Sequence, residues 1–120
     1  MLSNRPMPLP ELQDPDVLTK EKVDSAIRQK TAGFYVLGSL GDNKVMSVSY
    51  VGRSDDDLAA KLKRHAGNYP AFAYATTASA LLAYRGECRL YHALKPSKNV
   101  MHPLGKGGAE WACPVCGQQS

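Results

Sequence analysis

Val23, Ala26 and Ile27 recur on one face of a stretch that opens with Thr19, and the spacing predicts a helix over about residues 20–30 capped by the Thr19 hydroxyl. Beyond it, Tyr35–Leu37 and Val45–Val51 are aromatic and β-branched runs of strand type, and Gly41-Asp42-Asn43 between them is turn chemistry, so the segment reads as a β-hairpin. Leu58 and Leu62 then stand at i and i+4, which marks a helix running to about Ala66. Asp55, Asp56 and Asp57 supply its N-cap and put carboxylates at the positive end of its dipole. Gly67-Asn68-Tyr69-Pro70 ends that helix, and Phe72–Thr76 predicts a third strand. Thr76 or Thr77 caps a last helix over about Ala78–Leu94, and Lys95-Pro96 stops it because proline disfavours α geometry in the residue before it.

The two ends lack such periodicity. Residues 1–15 hold four prolines and predict a loosely ordered lead-in over residues 1–18; residues 97–120 hold four glycines with Pro103 and Pro114. The expectation is therefore one domain over residues 19–99 and an irregular tail over 100–120, pinned to the domain by its cysteines or by Trp111. At 120 residues the chain buries roughly two thirds of its unfolded surface around one modest core. No apolar run approaches the roughly 20 residues of a membrane-spanning helix, and the first residues do not read as an export signal, so the expected location is cytoplasmic, without a membrane partner.

The net charge of +4 and a sequence pI near 9.0 favour a polyanionic partner. Distribution sharpens this. Arg53, Lys61, Lys63, Arg64, Arg85, Arg89, Lys95 and Lys98 face only four acids over the same stretch, an excess suited to a phosphate backbone, although a solvated helix face would account for it equally well.

Gly33-Phe34-Tyr35 and Tyr50-Val51-Gly52 place two tyrosines on paired strands just ahead of the basic helix. The pattern continues through Ser54, Leu58, Leu62 and His65 into Glu87, Leu90-Tyr91, Leu94-Lys95-Pro96 and Asn99. Over roughly residues 33–99 this run resembles the GIY-YIG nuclease family. The resemblance implies an α/β fold with a small, mainly antiparallel three-stranded sheet flanked by helices, and a divalent-metal-dependent DNA endonuclease. By the same resemblance Tyr35 is the general base, Glu87 holds Mg²⁺ or Mn²⁺, Tyr50 and His65 support them, and Asn99 braces the end of the last helix. Lys61 stands where the family carries an arginine against the scissile phosphate, and Arg64 lies one turn further on. Lysine keeps the charge without the bidentate geometry. Nucleic-acid contacts then fall to Arg53, Lys61, Lys63, Arg64, Lys95 and Asn99.

Taken singly, these residues have plainer readings. Tyrosines on a hairpin are ordinarily strand-pair aromatics, and a histidine such as His65 ordinarily serves a helix C-terminus. Glu87 is less ordinary, because it precedes Leu90, Tyr91 and Leu94 at i+3, i+4 and i+7 and so belongs at the edge of a buried face.

Cys113-Pro114-Val115-Cys116-Gly117 resembles the knuckle of zinc ribbons and rubredoxins, in which two thiolates reach one tetrahedral metal. Cys88 and His92, at i and i+4, would complete a structural zinc set, with His102 as the alternative ligand. Free thiols or a link across a dimer are the other outcomes. Two further functions stand beside the nuclease: a nucleic-acid-binding module that cleaves weakly or not at all, and a small zinc-stabilised interaction protein. RNA is the alternative substrate to DNA, and a homodimer or partner protein would supply specificity.

Overall fold

Alternation along one strand organises the molecule, which is described here as a computed structural model over residues 12–99, 102–105 and 111–117. In β2 (Ala32–Leu40), Phe34 and Val36 point to one side and Tyr35 and Leu37 to the other, and all four are buried. A strand buried on both faces must lie inside a sheet with layers above and below it. β2 accordingly pairs antiparallel with β3 (Met46–Ser54) and with β4 (Ala71–Thr77). The hairpin between β2 and β3 closes through a 3₁₀ turn at Asp42–Lys44, where Asn43 and Lys44 take positive φ angles of 58° and 59°.

The sheet has four strands among the described residues, not the three expected from sequence. Asp16–Val17 forms β1 on the outer edge of β4, giving the order β1-β4-β2-β3, all antiparallel. The lead-in thus differs from expectation over residues 12–18. Gln13 N donates to Tyr74 O at 2.8 Å, Leu18 N donates to Pro70 O at 2.9 Å, and Leu12 packs on the core. The physical reason is the open backbone of β4, whose carbonyls need donors on the side away from β2. Residues 1–11 lie outside the described set.

α1 (Lys20–Ala26) and α2 (Leu58–His65) bring apolar residues to the Tyr35–Leu37 face, where Val23, Ile27, Leu58, Leu62 and Phe72 form one core cluster. α1 is shorter than the periodicity suggested, because Ile27 turns to extended backbone while its N–H still closes onto Val23 O at 2.9 Å. The predicted caps at Thr19 and in the Asp triplet are present: Thr19 accepts from Lys22 N at 3.0 Å and Asp57 from Ala60 N at 3.2 Å. α3 (Ala80–Leu94) covers the opposite face, with Leu90 against Phe34, Val36, Val51 and Ala73. Its cap is Ser79, at 3.2 Å from Leu82 N; Thr76 and Thr77 remain in β4. Gly86 allows this approach, since a Cβ there would overlap the Phe34 ring. Among the described residues no helix is long and apolar enough to cross a membrane.

Candidate functional site

The β2–β3 register sets Tyr35 opposite Gly52 and Leu37 opposite Tyr50, so both tyrosines face α2. Gly52 is required by this arrangement: a Cβ on it would stand 2.5 Å from Cζ and Oη of Tyr35. The last residue of α2, His65, meets the Tyr35 hydroxyl through Nε2 at 3.1 Å. Tyr50 stands against both, with ring centroids 6.4 Å from Tyr35 and 5.7 Å from His65, and Tyr69 closes the group from the turn after α2. Burial, reinforced by Tyr50 and Glu87, pushes the Tyr35 phenol well above its ordinary range. Burial, with Lys61 adding to it, holds His65 below the usual histidine value. Both groups are therefore neutral near pH 7, and with the imidazole protonated on Nδ1 the phenol donates to Nε2.

Glu87 comes from the other side of the sheet. It sits on α3, buried to 8% exposure, and accepts a hydrogen bond from Arg53 Nη1 at 2.7 Å through Oε1. Arg53 also binds Asp55 through Nε at 2.8 Å, and its guanidinium lies 5.2 Å from the Tyr84 ring centroid and 5.7 Å from that of Trp111. Burial raises the Glu87 carboxyl, and the Arg53 guanidinium opposes that rise. Expected above all as a contact to nucleic acid, Arg53 is thus committed to two carboxylates and two aromatic faces.

A cavity of about 870 Å³ opens over these groups and gathers Tyr35, Tyr50, Arg53, Lys61, Arg64, Glu87 and Asn99 on one wall system. Lys30, Arg53, Lys61 and Arg64 face Asp55, Asp56, Asp57 and Glu87 across it, four cations against four acids, so the formal charges cancel. An anionic ligand would gain from a further cation here. The donors suit a hard one, because carboxylates and the Ser54 hydroxyl, which also lines the cavity, are the oxygen ligands that Mg²⁺ and Mn²⁺ prefer.

The remaining sequence candidates are engaged by other partners. Lys63 turns to Asp24, Nζ to Oδ1 at 2.8 Å, in a surface pair with Asp24 60% exposed. Lys95 ends α3 in the left-handed conformation (φ 46°, ψ 59°) and lines a smaller pocket with Tyr91, His92, Pro96 and Asn99. Asn99 does not act on the helix end: its amide accepts from Val51 N at 2.8 Å and donates to Val51 O at 2.9 Å, bracing the outer side of β3.

Comparison with protein-family models, with curated proteins and with solved structures finds no match. The chemistry must be read from the side chains themselves.

The tail supplies a second constellation. His92, His102, Cys113 and Cys116 each offer one ligand atom, all within 4.8 Å of one another, and together could hold a metal ion. Cys88 is not among them. It is fully buried against Tyr84 and Cys113, and burial pushes its thiol up to about 12. Cys113 is also buried, which alone would raise it, but the N–H groups of Cys116 and Val115 together with His102 and Cys88 bring it down to about 6. His102 therefore takes the place proposed for Cys88. The i, i+4 spacing of Cys88 and His92 gave no means of seeing that the chain after α3 doubles back. Lys30, Tyr69 and Trp111 likewise carry no signal in the sequence that would place them at a site.

Proposed function

We propose that the protein hydrolyses phosphodiester bonds in DNA with the help of a divalent cation, in the manner of the GIY-YIG nucleases it resembles. One observation carries this reading: Tyr35, Tyr50, Lys61, Arg64 and Glu87, taken from strand, helix and opposite-face positions, line a single cavity. Ordinary strand-pair aromatics and solvated charges have no reason to converge in this way.

Water attacks phosphorus as the P–O bond to the leaving group breaks. Its proton passes to Tyr35 Oη while the phenol proton moves along the 3.1 Å hydrogen bond to His65 Nε2. His65 is the net acceptor, which removes the difficulty that a buried phenol is not ionised at neutral pH. Lys61 and Arg64 provide countercharge to the non-bridging oxygens, Arg64 restoring the fork that lysine lacks. Glu87 with Asp55 would hold Mg²⁺ or Mn²⁺, which supplies Lewis-acid stabilisation to the leaving oxygen. His92, His102, Cys113 and Cys116 would hold a zinc ion with a structural role.

The test is nicking of supercoiled plasmid at low salt. Cleavage should require Mg²⁺ or Mn²⁺ and fall by at least about 100-fold in Tyr35→Phe and Glu87→Gln. Nicking that survives both substitutions would reject the assignment. A second reading, DNA binding without cleavage, draws on the Arg53 bond that claims Glu87 Oε1; salt-sensitive binding without metal-dependent nicking would select it.

A further inference from the structure

We infer that a zinc ion at His92, His102, Cys113 and Cys116 clamps the C-terminal turn to α3 and thereby builds the far wall of the cavity and holds Trp111 over Arg53. The inference rests on a metal occupying this group and is independent of what the cavity does to its ligand.

Geometry favours zinc. A tetrahedron with metal–nitrogen bonds of about 2.0–2.1 Å and metal–sulfur bonds of about 2.3 Å has nitrogen–nitrogen edges of about 3.3 Å and nitrogen–sulfur edges of about 3.5 Å. His92 Nε2 and His102 Nε2 lie 3.2 Å apart, and Cys116 Sγ and His102 Nε2 3.6 Å apart. Two of the four donors are sulfur and two imidazole, a set that suits Zn²⁺ and disfavours Mg²⁺. The outer contacts agree. His102 Nδ1 is 2.8 Å from Pro103 O, and a carbonyl can only accept, so the proton sits on Nδ1 and the lone pair on Nε2 faces the other donors. Val115 N donates to Cys113 Sγ at 3.4 Å and Gly117 N to Cys113 O at 2.9 Å, which fixes the turn that brings the two sulfurs together.

The consequence for the cavity follows from which segments the ion would join. His92 belongs to α3, the helix that bears Glu87. His102 begins the segment 102–105, all four residues of which line the cavity. Cys113 and Cys116 belong to the turn just after Trp111. That indole packs on Tyr84 with centroids 5.3 Å apart and covers the guanidinium that holds Glu87. Without the clamp, the turn is held by a backbone bridge at Ala112, by the packing of Cys113 and Trp111 in a small cluster with Leu81, Tyr84 and Cys88, and by the contact of Trp111 with Arg53. An apolar patch of this size is small against the entropy of ordering the turn.

Trp111 is the sole tryptophan, so its emission reports the clamp directly. The full chain, purified without added metal, should contain one zinc per molecule by elemental analysis. Cobalt exchanged into the site should give thiolate charge-transfer bands and the d–d bands of a tetrahedral ion. Cys116→Ser and His102→Ala should lose the metal, and Cys88→Ala should keep it. Chelation should shift Trp111 emission to the red and raise its quenching by acrylamide, and zinc but not magnesium should reverse both changes. Protein that carries no stoichiometric zinc, or that keeps it in Cys116→Ser and His102→Ala alike, would overturn the site. Stoichiometric zinc whose removal leaves Trp111 emission unchanged would overturn the clamp. None of these readouts depends on cleavage, so failure of the nuclease reading is distinguishable from failure of this one.

Discussion

At the scale of single residues, the site turns on which group is able to take a proton. His65 is depressed below its ordinary value of about 6.5 by burial first and Lys61 second, so the accepting form is present at neutral pH and is lost only as pH falls through the depressed value. Nicking should therefore be level around pH 7 and decline on the acid side with a midpoint below about 6.5. A rate–pH profile with its acid midpoint clearly above that value would remove His65 from the proton path. Tyr35, Tyr50, Glu87, Lys61 and Arg64 were singled out in the sequence through the family resemblance, and the fold brings all five to one cavity. The Arg53 bridge to Glu87 was not legible there, since it joins residues 34 positions apart through the packing of α3 on β3.

At the scale of elements, the sheet was readable wherever a strand alternated or a turn carried its own chemistry. The hairpin, α2 and α3 fall close to their expected bounds because their stripes and breakers are local. β1 escaped because two residues have no period, and the exchange of His102 for Cys88 escaped because a helical spacing does not say which loop returns to it. Gly86 tests the packing that makes α3 useful. Alanine would raise helix propensity by about 1 kcal/mol, whereas overlap of its methyl with the Phe34 ring should cost about 1–3 kcal/mol. Overpacking should win: Gly86→Ala should unfold at lower urea concentration than the parent and separate Glu87 from Arg53. Unchanged or greater stability would mean that α3 has room to move outward.

At the scale of the whole molecule, three layers are held around β2, and its central tyrosine makes the assembly sensitive to alkali. Tyr35 has its ionisation raised on folding, chiefly by burial, so its contribution is intact below the unfolded value of about 10 and is lost as pH rises beyond it. Unfolding free energy should thus fall above about pH 10, and Tyr35→Phe should flatten that fall. Equal slopes for parent and variant in denaturant titrations between pH 9 and about 11 would assign the loss to other groups.

β3 is the outermost strand on its side of the sheet, and such a strand ordinarily offers its backbone to any extended chain nearby. Asn99 fills that offer at Val51, and Lys98 N donates to Ser49 O at 2.8 Å two residues earlier. An incoming strand would first have to evict them. The protein's own chain thus acts as a stopper against edge-to-edge polymerisation, and a residue placed beside the cavity serves solubility.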